Sequence, residues 1–284
     1  MIELDASAVL LQWAAGGMLF VWVTTRRRIV GLGYGWTMRI VYGLMAIGAL
    51  FIASRFGWRL WRDVPTAGFA AVTFFGLAQS YVRRGVGVAG QRQIAEKRSA
   101  RVTEMTGIDR SEKLKSDAGP EFTPRLDLLA ALIGFVGVIA SSAYGDLPLW
   151  LSLYRMVIGA LFLGVVSDAM LLGHWYLVQP GLDRSLLREL VIWTGILWLP
   201  ETIAFLIPTG MISVLDGTIA DGYNGLLGWF WVACVVTTAG LVVTTYLALK
   251  EKDYSAVMAA TGLLYLAILT GFGMDLVARA SLSL

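Results

Sequence analysis

The sequence predicts an all-α integral membrane protein, a bundle of about eight transmembrane helices with both chain ends on the outer side. Three observations carry that expectation. Hydrophobic residues make up 57% of the 284-residue chain and charged residues only 15%, whereas soluble domains carry about a quarter charged residues. The apolar residues fall into long runs, and about 20 of them in a helix cross the hydrocarbon core. Lipid offers no water to open backbone groups, so each run must satisfy its own hydrogen bonds as a helix. The runs are too long and too uniformly apolar for barrel strands, which alternate over about ten residues. Third, the basic residues fall almost entirely on alternate connections.

The first expected span covers Ala6 to Thr25, and the second Thr37 to Ser54. The third covers Pro65 to Val82 and the fourth Leu126 to Tyr144. The fifth, Leu149 to Val178, is followed by the Pro180-Gly181 turn. The sixth runs from Leu187 to Pro208, the seventh from Gly225 to Leu249 and the eighth from Tyr254 to Ala280. The acidic start MIELDASAVL precedes the first apolar run and Arg26-Arg27-Arg28 follows it, the reverse of a secretory signal, so the run reads as a retained span. The chain divides into a three-helix segment (1–82), a basic loop (83–125) and a five-helix segment (126–284). A parallel four-plus-four repeat also fits, from a faint likeness between GLGYGWTMRIVYG and GLDRSLLRELVIW.

With the N-terminus outside, segments 26–39, 83–125, 179–188 and 250–252 face inward. They hold 4, 10, 2 and 2 Lys or Arg, which is 18 of the chain's 23. That asymmetry sets N-out and C-out, in a cytoplasmic (inner or plasma) membrane. RFGWRLWRD, between spans two and three, reads as an interfacial segment, with Trp58 and Trp61 in the interface and its arginines meeting headgroups. In the basic loop, Gln91 to Met105 suits a short charged helix. The loop is either a linker or a docking surface for a partner or anionic lipid. TGMISVLDGTIADGYNG, after span six, contains three turn signals, at Asp216-Gly217, Asp221-Gly222 and Asn224-Gly225.

Composition limits the cofactors. The lone cysteine, Cys234, excludes an internal disulfide and any cysteine-rich cluster, and one histidine excludes bis-histidine haem ligation. No residue pattern supports a haem or metal site; a quinone is the cofactor the residues suit. The dispersed net charge of +3 gives no nucleic-acid footprint. No nucleophile triad, phosphate-binding loop or zinc motif is present.

Charges inside spans are costly and mark candidate sites. Asp168 and the single histidine, His174, lie in the inner half of span five, beside Trp175 and Tyr176. Six residues at 100° set Asp168 and His174 about 120° apart, so they face different neighbours. Gln79 and Ser80 are candidate partners for these stripes, and Gly159, Gly164 and Gly173 permit close helix contacts. His174 suits a proton relay, or a hydrogen bond to a quinone carbonyl with the aromatics packing its ring. A second set lies near the outer side. Arg155 is roughly 9 Å into span five, and Glu201 roughly 21 Å up span six, at about 1.5 Å per residue. Asp275 lies near the outer end of span eight. These three can share one charged layer, with Arg155 pairing to Glu201 or Asp275. Pro200 bends span six beside Glu201.

Two functional classes fit. One is a non-haem membrane subunit of a larger assembly, linked to a quinone or to protons, with other membrane subunits as partners besides the lipid bilayer. The other is a secondary transporter of a small solute or ion. An intramembrane enzyme has no motif behind it.

Overall fold

The computed structural model describes residues 5–84, 122–144, 147–179, 182–251 and 253–283. The expected helix at 91–105, most of the 83–125 loop and the Pro180-Gly181 turn lie outside these residues. Among the described residues there are eight long helices: α1 Ala6–Thr25, α2 Leu32–Phe56, α3 Leu60–Val82, α4 Pro124–Ser141, α5 Leu149–Val178, α6 Ser185–Leu206, α7 Leu226–Ala248 and α8 Tyr254–Ser283. A short helix, Gly210–Leu215, lies between α6 and α7, and there is no strand among the described residues.

Seven of the eight are long and apolar enough to cross a membrane. The exception is α3, which opens on LWRD and closes on QSYV, so the expected third span falls short in apolarity although it has 23 residues. Large apolar side chains cover the outside of the bundle. On α2 they form a single stripe, Ile40, Leu44, Ile47 and Phe51, all exposed, at the three- and four-residue spacing of one helix face. Similar stripes on α4, α6 and α7 make this a surface for lipid.

The helices pack four and four. α1 contacts α2 and α4, and α3 contacts α2 and α4, closing one ring. α5 contacts α6 and α8, and α7 contacts α6 and α8, closing another. The rings join chiefly where α1 meets α5. That seam depends on glycine. A Cβ on Gly16 would lie 1.7 Å from the Ala160 carbonyl oxygen, and one on Gly164 would lie 2.2 Å from the Gly16 carbonyl carbon. Small residues allow two backbones to touch here, and α1 and α5 become the most enclosed helices, with 67% of their most apolar windows buried.

One end of the bundle carries most of the basic side chains. Arg26 and Arg27 pair with Glu189 of α6 at 2.8 and 3.0 Å. Arg188 of α6 donates to the Leu249 carbonyl at 3.1 Å. At this basic end, α2 begins five residues earlier than expected. Arg39, expected at the inner edge of the span, is instead two turns into the helix with its side chain 2% exposed. It binds Asp127 at the start of α4 through two parallel bonds of 2.8 Å, the strong fork geometry of an arginine and a carboxylate.

The opposite end differs from expectation in the RFGWRLWRD segment. Trp58 and Trp61 are exposed, as an interfacial role requires. Arg62 and Asp63 are buried instead of meeting headgroups. The Arg62 guanidinium binds Asp63 at 2.6 Å and also pairs with Asp5. Asp5 in turn caps α1, accepting from the Ser7 and Ala8 amides at 3.0 and 3.3 Å. Gly57 ends α2 at φ +143°, a backbone conformation that side chains resist, and so lets α3 follow after three residues.

Candidate functional site

α5 brings four helices to one buried polar cluster in the half of the bundle opposite the basic end. Arg155 lies one turn from Gly159 on this helix. A Cβ on Gly159 would sit 2.9 Å from Arg279 Nη2, 3.1 Å from Gln12 Nε2 and 3.8 Å from Asp275 Oδ1. The absent side chain is thus what lets α1, α5 and α8 bring polar atoms together. Gln12 of α1 donates to the Met156 carbonyl at 2.8 Å. On α8, one turn apart, Arg279 Nε contacts both oxygens of Asp275 at 3.0 and 2.9 Å.

Glu201 of α6 completes the cluster. It is fully buried, beside Asp275 and within electrostatic reach of Arg155 and Arg279. Neither of its carboxyl oxygens accepts a hydrogen bond from a donor, and Arg279 Nη2 and Gln12 Oε1 also lack partners. The sequence groups Arg155, Glu201 and Asp275 in one layer, and the structure brings them together. The bonding differs. Arg155 donates to the carbonyls of Ala204 and Ile207 at 2.8 and 2.7 Å and pairs with neither acid. The last carbonyls of a helix have no partner within it, and α6 ends at Leu206, so a guanidinium satisfies them. Pro200 is inside α6, and its carbonyl accepts from Tyr154 at 2.9 Å. Asp275 is matched by Arg279, one turn further along α8. Glu201 is therefore the acid left without hydrogen-bond donors, and a buried carboxyl without donors is costly unless it binds a proton or a ligand.

The second predicted set separates three ways. Asp168 points into the seam and accepts from the Tyr42 hydroxyl, while its other oxygen has no partner. His174 points outward, with Nδ1 3.1 Å from the hydroxyl of exposed Tyr265 and the rings edge to face at 6.2 Å. Trp175 packs on Gly33 and Tyr34 and donates to Gln179 at 3.0 Å. The Tyr176 hydroxyl donates to the Asp183 carbonyl. The two aromatics fasten the end of α5. Ser80, proposed as a partner for α5, accepts from Trp36 at 2.8 Å.

Among the described residues no three His, Cys, Asp or Glu side chains gather as a metal site. Sequence reasoning missed Gln12, Tyr42 and Arg279. The first two look like ordinary members of apolar runs; the Gly16-Gly17 pair next to Gln12 is the local signal that another helix comes close. No protein-family model, curated protein or solved structure matches the chain.

Proposed function

We propose that this protein is a proton-coupled secondary transporter of a small solute, with Glu201 as its exchangeable acid. The observation that supports this most is a fully buried carboxyl that accepts no hydrogen bond from a donor and lies against a second carboxyl, Asp275, in a cluster of two acids and two guanidiniums. Protonated, Glu201 leaves two guanidiniums, Arg155 and Arg279, facing one carboxylate, Asp275. Deprotonated, it brings the count to two against two, so gain or loss of this one proton changes the cluster's net charge and favours a rearrangement. The two-ring architecture suits this role, because one ring can shift against the other at the glycine seam. In this reading all eight helices span a cytoplasmic (inner or plasma) membrane. α3 crosses with its ionic end sealed against Asp5, the basic end faces inward, and both chain ends face out.

The test uses proteoliposomes holding a lumenal pH dye, challenged with a panel of small solutes under an imposed membrane potential. One solute class should evoke proton flux, and Glu201→Gln should abolish it while leaving the protein folded. A flat response across a broad panel overturns the reading.

A second reading, a membrane subunit linked to a quinone, is favoured by one observation: His174 and Tyr265 face the surrounding lipid, where an apolar ligand or a partner helix would arrive. Native mass spectrometry after gentle extraction tests it. Retained quinone or a stoichiometric partner, lost in His174→Ala, supports it; a solitary protein with no bound ligand overturns it.

A further inference from the structure

We infer that Asp168 is a second proton-binding group, filled from the basic end of the bundle through a line of hydroxyls and isolated from Glu201 by the glycine seam. This rests on the proton-coupled reading and supplies it with an inward-facing branch.

The line starts where Asp127 is held by Arg39. Thr25 at the end of α1 donates to Asp127 Oδ2 at 3.2 Å. Its neighbour Thr24 lies 3.4 Å from the Tyr34 hydroxyl. Tyr34 is buried, within electrostatic reach of both Asp127 and Asp168. Tyr42, two turns further along α2 and also in electrostatic contact with Tyr34, donates directly to Asp168. Four buried hydroxyls therefore lie between the two acids, with hydrogen-bond contacts at Asp127–Thr25, Thr24–Tyr34 and Tyr42–Asp168. The two remaining steps, Thr25 to Thr24 and Tyr34 to Tyr42, must close as these side chains turn; each hydroxyl then passes on one proton as it receives one, and a proton entering at Asp127 reaches Asp168.

The ionisable groups facing this stretch are few. Tyr34 and Tyr42 come from α2, Tyr176 from α5 itself, and Asp127 with Arg39 lies beyond Tyr34. His174 is on another face of α5 and takes no part. Above Asp168 the route stops at bare backbone. The Tyr42 ring occupies the space beside Gly17, where a Cβ would lie 2.1 Å from Cζ, and Gly16 meets Ala160 and Gly164 directly. Asp168 and Gly159 are nine residues apart on α5, roughly 13 Å at 1.5 Å per residue, which is too far for direct transfer between the two acids. The entrance is covered as well. The Phe122 ring lies 5.2 Å from the Arg39 guanidinium and 5.6 Å from that of Arg28, which also donates to the Phe122 carbonyl at 3.2 Å.

The first measurement is pH-titrated infrared difference spectroscopy on the purified full chain in lipid nanodiscs. The wild type should show a carboxyl band that Asp168→Asn deletes and Tyr42→Phe shifts, separate from the band removed by Glu201→Gln. Tyr42→Phe keeps the ring against Gly17 and carries the test if Asp168→Asn does not fold. The second is proton uptake in vesicles of sorted orientation. Tyr34→Phe should slow uptake from the basic side by about a hundredfold and leave the opposite side unchanged. Spectra of Asp168→Asn and Tyr42→Phe that superimpose on wild type overturn the inference, as does an equal effect of Tyr34→Phe on both sides. A titrating Asp168 with no solute-driven flux would sink the transporter reading alone; solute-driven flux with a silent Asp168 would sink this inference alone.

Discussion

α2 and α4 of the first ring are tied by Arg39 and Asp127, whereas α6 and α8 of the second ring meet through Glu201, Asp275 and Arg279. The helices correspond in order, but the ties lie at opposite depths. Arg39 is seven residues from the basic end of α2, and Glu201 is sixteen from the basic end of α6, roughly 10 and 24 Å at 1.5 Å per residue. They also differ in completeness. Arg39 and Asp127 satisfy each other through two bonds, with Thr25 adding a third. In the second ring one acid more is buried than is bonded. A matched buried pair fixes geometry, and an unmatched acid supplies something to exchange. The first ring's tie is closed, and the second ring's leaves one acid open.

The largest effect expected from breaking that contrast is at the matched pair. Asp127→Ala leaves Arg39 buried without a partner, and unfolding in detergent should show a loss of about 3–5 kcal/mol. The double variant Arg39→Met with Asp127→Leu should recover most of that loss, because two apolar groups need no partner. An equal loss in the single and double variants would mean that the fork has no special role.

The seam comes next. Gly16→Val forces a side chain into the Ala160 carbonyl, and overpacking of this kind costs about 1–3 kcal/mol where the structure can shift. Since Gly16 lies between the rings, the damage should appear as separation of the two halves, read by crosslinking of introduced cysteines across α1 and α5. Unchanged crosslinking would argue against the seam as the principal joint.

At Glu201 the sign reverses. Glu201→Met removes a buried group that has no hydrogen-bond donor, so stability should rise, by about 1–3 kcal/mol, the usual cost of an unsatisfied buried group. Flux should disappear in the same variant. Higher stability with lost activity is the mark of a functional residue. A destabilised Glu201→Met would make the carboxyl structural and erase the contrast with Asp127.

Much of the fold was legible and less of the site. Among the described residues apolar length placed the eight long helices to within five residues at each end, because the bilayer imposes length on the chain itself, and it gave no sign of the short helix Gly210–Leu215. α3 was the exception in apolarity, since its charges are tolerated by pairing with Asp5, far away in sequence. Arg39, Arg62 and Arg279 look like boundary charges in sequence. Their burial follows from partners on other helices or from a helix that continues past its hydropathy limit. Helical geometry separated Asp168 from His174, but only packing decides which of two faces meets protein and which meets lipid. Tyr34 and Tyr42 gave no signal, because a tyrosine in an apolar run becomes informative only when an acid is found opposite it.

The smallest effect concerns the outer turns of the two rings. The α2–α3 turn is closed by ions, with Asp63 accepting from the Arg59 amide at 2.6 Å and binding Arg62. The α6–α7 connection contains the expected turns and is closed by backbone. Asp221 accepts from the amides of Tyr223, Gly225 and Leu227, each at 2.9 Å. These donors, Gly225 first, hold its carboxyl below the usual carboxylate range. A carboxyl whose folded value is depressed contributes stability that is fully present above the unfolded value, near about 3.9, and is lost as pH falls through the lower folded value. Hydrogen exchange corrected for intrinsic pH dependence should therefore show the Tyr223, Gly225 and Leu227 amides protected at neutral pH and opening only in strong acid. Asp221→Asn should open the same amides at neutral pH, because an amide side chain bears no charge and one of its two ends cannot accept. If the three amides stay protected in that variant, the turn is held by its glycine conformations, at Gly222 and Gly225, and the carboxylate only decorates it.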